Sequence, residues 1–462
     1  MSDLFRKIAP VADELGELFA ARGHELALVG GSVRDILLGR IGNDLDLTTD
    51  ARPERVLEIV RDWADSVWTI GIDFGTVGVR KGGWLLEITT YRSESYDPKS
   101  RKPEVMYGDT LEADLERRDF AVNAMAVRVP AHEFVDPYGG MADLAAKRLR
   151  TPGTPEQSFD DDPLRMLRAA RFASQLGFTV DPGVTRAMTA MAERIEIVSA
   201  ERIRDELDKL ICGDNPREGL RLLVETGLAD YVLPELPKLR LEIDEHHRHK
   251  DVYEHTLIVL EQAMSQEEDG KADRILRWSA LMHDVGKPKT RRHEEGGRVS
   301  FHHHEMVGAQ LTKKRMAELK FPKDVVADVS RLVELHLRFH GYGTGEWTDS
   351  AVRRYVRDAG HLLDRLHKLT RADCTTRNKR KAQALSRTYD QLEERIARLA
   401  DEEELAKIRP ELDGNEIQEI LGVGPGPQVG KAYKFLLELR LDQGVIGKDA
   451  AREALLKWAE SE

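Results

Sequence analysis

Over the first 150 residues, short apolar runs alternate with stretches of helical spacing. Residues 25–31 (ELALVGG), 43–49 (NDLDLTT), 75–80 (GTVGVR) and 84–91 (WLLEITTY) read as strands. Between them, 32–40 (SVRDILLGR) and 51–64 (ARPERVLEIVRDWA) place apolar residues three and four apart, as helices do. The Pro/Gly punctuation at 151–155 (TPGTP) closes this unit, and no strand is expected after it. Helical spacing then recurs at 164–176, 201–211 and 217–228 and continues to about residue 400. Residues 401–412 read as a connector, and 422–440 as a Gly/Pro turn entering an amphipathic helix. The pattern predicts an α+β chain: a head with a small mixed sheet over 1–150, a helical neck over 151–230, a helical domain over 231–400 and a helical tail over 401–462.

Length and composition refine this picture. A chain of 462 residues carries a prior of about three domains. Its 82 acidic against 70 basic residues give a charge of −12, which argues against a general nucleic-acid coat but leaves room for a local basic track. No apolar run reaches the roughly 20 residues of a membrane span. The two cysteines, Cys212 and Cys374, cannot build a disulfide framework, and the N-terminus lacks a signal-peptide layout, so a cytoplasmic protein is expected. Histidine is uneven: thirteen of 15 lie between His246 and His367, which points to metal or acid–base chemistry there.

Candidate chemistry begins at Gly30-Gly31-Ser32-Val33-Arg34-Asp35, between a strand and a helix. Glycines allow close backbone approach, a helix start offers N–H groups to a phosphate, Ser32 suits a helix cap, and Arg34 suits an anion. Asp44 and Asp46 follow, two apart on a strand and so on one face, with Leu45 and Leu47 on the other. Paired carboxylates beside a phosphate-binding turn can hold divalent metals for nucleotidyl transfer. Glu87, on the next apolar strand, reads equally as a third carboxylate or an exposed strand residue.

The run GGSVRDILLGRIGNDLDL resembles the signature of the bacterial and eukaryotic (class II) tRNA nucleotidyltransferases and their poly(A) polymerase relatives, within the polymerase-β-like superfamily. The resemblance implies Mg2+ at Asp44 and Asp46, and nucleoside triphosphate at Gly30, Gly31 and Arg34. It extends to Arg117-Arg118-Asp119-Phe120-Ala121-Val122-Asn123-Ala124, implying sugar and triphosphate contacts from Arg118, Asp119 and Asn123. Here Ala121 and Val122 replace the family's usual Thr and Ile. Asp136-Pro137-Tyr138-Gly139-Gly140, with Asp143, Leu144, Leu149 and Arg150, resembles the family's hinge between head and neck.

Asp161-Asp162-Pro163-Leu164-Arg165 resembles the segment with which that family reads the base, with Asp161 in place of Glu. Cytosine and adenine both present an amino donor beside a ring-nitrogen acceptor. A carboxylate accepts from the first and a guanidinium donates to the second. Uracil and guanine reverse that polarity, and each buried mismatch costs about 1–3 kcal/mol. Asp162 and Arg165 therefore suit C and A without a nucleic-acid template. Asp162 before Pro163 also reads as a helix cap, and both roles are compatible. Arg168 and Arg171 continue the three-residue spacing, as nucleotide contacts by resemblance or as a solvated face. Residues 199–211 (SAERIRDELDKLI) read as a structural helix. The polar stretch 92–110 lies where the family has a flexible loop tied to the switch from C to A addition.

His255, the pair His283-Asp284 and Asp373 form the order H…HD…D, the signature of the HD phosphohydrolase superfamily. Imidazole and carboxylate ligands suit a divalent transition metal or Mg2+, which can activate water against a phosphoester. His302, His303 and His304 read as further ligands or as a surface cluster. His336, His340, His361 and His367 read as ordinary helix residues. Between 365 and 381, seven basic residues face one acid, a local +6 that suits an RNA backbone. Candidate RNA contacts are Arg371, Arg377, Lys379 and Arg380 there, and Lys431 in the tail.

Taken together, these resemblances imply an enzyme adding CCA to tRNA from CTP and ATP. One metal would help deprotonate the tRNA 3′-hydroxyl, and the other would steady the triphosphate and leaving pyrophosphate. The HD domain is expected to act as a phosphohydrolase on RNA 3′ ends. Two rivals stand: a poly(A) polymerase of the same family, and an HD phosphohydrolase whose head only binds RNA.

Overall fold

The computed structural model describes residues 5–40, 42–95, 104–240, 251–295, 299–341, 347–376, 378–403 and 408–461. They fall into two compact units, Met1–Pro237 and Lys238–Glu462. Among them no helix is long and apolar enough to cross a membrane.

The first unit opens with α1 (Phe5–Ala20), β1 (Leu26–Val29), α2 (Gly30–Leu37), β2 (Asp44–Thr49) and α3 (Pro53–Val60). Next come β3 (Ser66–Trp68), β4 (Thr76–Lys81), β5 (Trp84–Thr90), β6 (Arg92–Ser95), β7 (Glu104–Tyr107) and α4 (Leu111–Glu116). The sheet closes with β8 (Ala126–Arg128) and β9 (Glu133–Val135). Its order is β3-β4-β5-β2-β1-β8-β9, antiparallel throughout except where β2 runs parallel to β5. The head is thus a small mixed sheet, as expected. Alternation decides its central strand: Leu45 and Leu47 are buried, while Asp44 and Asp46 face out.

Four expectations change. β3, β8 and β9 are three residues each, too short for a two-residue period to register. The stretch read as a polar loop at 92–110 contains the antiparallel ribbon β6–β7; its residues 96–103 lie outside those described. Past residue 155 there are short strands after all. β10 (Arg148–Leu149) pairs in parallel with β11 (Thr179–Val180), and β12 (Arg292–His293) pairs with β13 (Val299–Ser300). The connector read at 401–412 begins late, because a long helix runs on to Glu403.

The rest of the first unit is α5 (Gly140–Ala145), α6 (Pro155–Asp161), α7 (Leu164–Leu176), α8 (Pro182–Met191), α9 (Ala200–Ile211), α10 (Pro216–Glu225) and α11 (Ala229–Val232). At the entry to α5, Asp136 accepts from the Gly140 and Met141 N–H groups, at 2.7 and 2.9 Å. Buried Asp143 then holds Arg148 and Arg150, at 2.5 and 2.9 Å. One carboxylate starts the helix and the next ties it to β10. Gly140 itself is required, since a Cβ there would lie 2.2 Å from the Ala121 carbonyl oxygen.

The second unit comprises α12 (Val252–Met264), α13 (Arg274–Met282), α14 (Lys287–Thr290), α15 (His304–Glu318), α16 (Lys323–Leu335), α17 (Asp349–Ala359), α18 (Leu363–Ala372), α19 (Lys379–Glu403), α20 (Gly414–Leu421), α21 (Pro427–Gln443) and α22 (Lys448–Ser461). The last three share their own core of Leu412, Ile417, Ala432, Leu436, Ala451 and Leu455.

Candidate active site

In the head, parallel register sets Glu87 of β5 beside Asp46 of β2, so Glu87 shares the open face with Asp44 and Asp46. Burial raises the pKa of Asp46; Arg118 opposes that, and Asp44 adds to it. Burial, then Asp46 and Asp44, raise Glu87. Asp46 and Glu87, whose charged forms are disfavoured here, together with Asp44 make the oxygen donor set that a hard divalent cation suits. Ser32 does not cap α2: its hydroxyl accepts from the Asp46 N–H at 2.8 Å and ties the glycine turn to the carboxylate strand. Gly30 has φ +67°, and a Cβ there would lie 2.8 Å from Arg118 Nη1. A Cβ at Gly31 would lie 3.5 Å from Arg34 Nη2 and 3.8 Å from Asp46 Oδ2. The glycine pair therefore lies between Asp46 and two guanidinium groups.

One of these, Arg34, belongs to a continuous network, and Arg118 is held apart from it by Asp114. Arg34 donates to Asn123 Oδ1 at 2.7 Å and forks onto Asp35 at 2.9 Å. Asn123 donates to Asp119 Oδ1 at 2.9 Å, which also accepts from the Phe120 N–H at 2.8 Å. Arg168 donates to Asp119 Oδ2 through Nε at 2.7 Å and again through Nη2. Burial would raise the Asp119 pKa, but Arg168 and the Asn123 hydrogen bond outweigh it and hold it well below the usual carboxylate range. Arg118 and Arg117 both pair with fully buried Asp114, at 2.9 and 2.8 Å, and against the penalty of burial bring it down to about 2. The Phe172 ring lies under Arg171 at 4.1 Å, Arg34 at 5.2 Å and Arg168 at 5.5 Å. The arginines at 165, 168 and 171 are thus not a solvated face.

At the start of α7, Asp162 Oδ1 accepts from the Leu164 N–H at 3.1 Å, so the capping role expected of it is real. Its Oδ2 pairs with Arg202 at 2.8 Å. Arg165 donates to Ser158 Oγ at 3.0 Å and to the Arg117 carbonyl. Each side chain of the proposed base-reading pair is thus held in place by other groups. One of those groups, and a partner of Arg171, come from α9, which the sequence marks only as a structural helix. Arg202 braces Asp162, and Glu206, 5% exposed, pairs with Arg171 at 2.7 Å. The signal was present: Glu206 sits in the buried stripe of Ile203, Leu207 and Leu210, where a lone carboxylate needs a partner.

In the second unit, His255 of α12, His283 and Asp284 after α13, and Asp373 after α18 come together. His255 Nε2 is 2.9 Å from Asp373 Oδ1 and 3.5 Å from Asp284 Oδ2. His283 Nε2 is 3.2 Å from Asp284 Oδ2 and 3.6 Å from Asp373 Oδ1. Its Nδ1 lies 2.8 Å from the Ala280 carbonyl, which turns Nε2 toward the carboxylates. Burial disfavours the His283 cation, yet Asp284 and Asp373 prevail and push it up to about 10. Both carboxylates are held well below their usual range despite burial, chiefly by His283 for Asp284 and by His255 and His283 for Asp373. His255, His283 and Asp373 each offer a donor atom within 4.8 Å of the others, and neutral imidazole with carboxylate suits a divalent transition ion.

One histidine departs from expectation, and the triplet divides between its two readings. His336, read as an ordinary helix residue, is 1% exposed, with its ring 5.3 Å from those of His283 and His304. Burial and His283 hold it down to about 3. Of the triplet, His302 and His303 are exposed and only His304 turns inward. His361 pairs with Asp328 at 2.9 Å, and the side chain of His340 lies outside those described.

The basic run at 365–381 is largely neutralised at its start. Arg365 pairs with Asp273 at 2.7 Å, Lys368 with Glu268 and Asp364, and Arg371 with Asp390 and Glu393 at 2.9 Å. Arg371 is therefore not the free contact expected. Arg380, Lys381 and Lys431 are exposed; Arg377 and the Lys379 side chain lie outside those described.

Three family models match the chain: "Poly A polymerase head domain" over 26–150, "Probable RNA and SrmB- binding site of polymerase A" over 177–239, and "HD domain" over 252–405. The A-adding tRNA nucleotidyltransferase of Deinococcus radiodurans is 35% identical over 442 residues, spanning 94% of this chain and 95% of that protein. The chain belongs to the tRNA nucleotidyltransferase and poly(A) polymerase family, with an HD domain in its C-terminal half. Within this family, the CCA-adding enzyme of Levilactobacillus brevis is 41% identical over 210 residues, 45% of this chain and 52% of its own length. The Bacillus stearothermophilus CCA-adding enzyme in complex with CTP shares the fold at TM-score 0.72 and 24% identity, over 100% of this chain and 99% of its own. The Thermotoga maritima CCA-adding enzyme complexed with tRNA shares it at TM-score 0.61 and 19% identity, over 99% and 96%.

Proposed function

We propose that this nucleotidyltransferase completes tRNA 3′ ends by adding CCA from CTP and ATP. The observation that carries the reading is one continuous set of contacts from Ser32 and Asp46, through the glycine turn, Arg34, Asn123 and Asp119, to Arg168 on the helix that begins with Asp162 and Arg165. Arg34 and Arg118, whose guanidinium groups flank the glycine turn, hold the triphosphate of a bound nucleotide. Asp162 accepts from the exocyclic amino group and Arg165 donates to the ring nitrogen, which admits C and A and rejects U and G. Asp44 and Asp46 would hold Mg2+, which supplies Lewis-acid activation of the 3′-hydroxyl and charge neutralisation at the pyrophosphate. The exposed Arg380, Lys381 and Lys431 serve as contacts to the tRNA backbone. The HD residues His255, His283, Asp284 and Asp373 would hold a divalent metal for phosphoester hydrolysis.

A second reading, addition of A alone to ends already carrying CC, is favoured by the whole-length similarity to the A-adding protein of D. radiodurans. Two acceptors separate them when CTP and ATP are both supplied: tRNA lacking all of CCA, and tRNA ending in CC. CCA addition extends both, by three residues and one. A-only addition extends just the second. Long A tails on either would replace both readings with a poly(A) polymerase.

A further inference from the structure

The open face of the head continues past its carboxylates. Glu87 stands beside Asp46, Gly78 of β4 stands opposite Glu87, and Trp68 of β3 stands opposite Gly78. Partners in register point to the same side of a sheet, so one row crosses four strands: Asp46, Glu87, Gly78, Trp68. The next row holds Asp44, Leu85, Arg80 and Ser66. Gly78 makes room for the indole. A Cβ there would lie 1.9 Å from Trp68 Cε2 and 2.0 Å from its Nε1, so the ring occupies the space over the glycine. Two strand spacings separate Gly78 from Asp46, which puts the ring roughly 10 Å from that carboxylate. The ring stays partly exposed. Arg80 is exposed and makes no ion pair among the described residues. Lys81 next to it, by contrast, donates to the Trp63 carbonyl at 2.6 Å and faces Asp65 at 3.9 Å.

The two sides of the carboxylate strand differ in kind. In the sheet order β3-β4-β5-β2-β1-β8-β9, the glycine turn follows β1, and Asp119 and Asn123 precede β8. The network that suits a triphosphate therefore lies on the β1-β8 side of β2. In-line nucleotidyl transfer sets the attacking hydroxyl and the leaving pyrophosphate on opposite sides of the reacting phosphorus. The attacking strand then lies over β5-β4-β3, the side that offers an aromatic ring and a guanidinium without a carboxylate. Single-stranded nucleic acid is held by this combination, with bases stacked on rings and phosphates paired with cations.

We propose that Trp68 and Arg80 hold the 3′ end of the acceptor RNA, with one of its last bases stacked on the indole and a phosphate on the guanidinium. The proposal rests on the nucleotide-addition reading and names where its second substrate lies.

The test is steady-state kinetics of the full-length protein on whichever tRNA, lacking CCA or ending in CC, wild type extends. W68A is expected to raise KM for that tRNA about tenfold and leave KM for the nucleotide unchanged, and W68F to keep most of the wild-type affinity. G78A, whose new Cβ displaces the ring, is expected to act like W68A, and the double variant W68A/G78A to be no worse than W68A alone. R80A is expected to raise KM for the tRNA severalfold and to reduce the salt dependence of tRNA binding by about one in log–log slope. R80A carries the test if W68A fails to fold. An unchanged KM for tRNA in W68A and R80A, or an equal rise in both KM values, overturns the proposal. Wild type that extends neither tRNA would overturn nucleotide addition itself and the proposal with it, a result distinct from active wild type with indifferent variants.

Discussion

Replacing Asp44 and Asp46 together by alanine is expected to lower nucleotide addition by about a thousandfold or more, roughly 4 kcal/mol of lost transition-state stabilisation. The fold is expected to survive. Both side chains stand on the open face of β2, opposite buried Leu45 and Leu47. The raised pKa of Asp46, due first to burial, means that its charge disfavours the folded state, so its removal leaves the melting temperature unchanged or slightly higher. Hydrolysis of a simple phosphoester by the HD site is expected to persist, because the HD ligands belong to a different compact unit of the chain. Addition above about a tenth of the wild-type rate in the double variant would sink the assignment of the carboxylate pair.

Asp119→Ala is expected to damage both stability and activity. It removes the acceptor of Asn123, of the Phe120 N–H and of Arg168, and leaves that arginine's charge without its main partner. Breaking a buried pair from one side costs about 3–5 kcal/mol. Asp119→Asn retains the shape and loses less. The sign with pH follows from the depressed pKa. Because the folded value lies below the ordinary 3.8, the charged form stabilises the fold fully above that value, and the contribution is lost as pH falls through the folded pKa. The difference in urea stability between wild type and Asp119→Asn is therefore expected to be full at pH 7 and to shrink only below about pH 4. A difference that is constant down to pH 3, or absent at pH 7, would show that the ion pair with Arg168 does not hold the network together.

Much of this was legible before any coordinates. Alternation over 43–49 put Asp44 and Asp46 on one face, and α7 runs over the very residues, 164–176, that its three- and four-residue spacing marks. What was not legible depends on contacts remote in sequence. Glu87 could not be chosen between two readings until parallel register set it beside Asp46. Ser32 looked like a cap, but the nearby Asp46 N–H offers its hydroxyl a partner across the turn. The local charge of 365–371 looked available because most of its partners, Asp273, Glu268, Asp390 and Glu393, lie 19 to 100 positions away, and the nearby Asp364 falls just outside the run. His304 and His336 carry no spacing signature relative to His283. Only the ends of two helices, α15 and α16, bring their rings together beside it.

The most direct test of nucleotide addition governed by Asp162 and Arg165 is incorporation of one labelled nucleotide at a time onto tRNA lacking CCA. CTP alone is expected to add two residues, and ATP to add one only after those two are present. UTP and GTP are expected to react about a hundredfold less efficiently, as two mismatched polar contacts at about 1–3 kcal/mol each require. No incorporation of C, or U and G entering as readily as C and A, would contradict it.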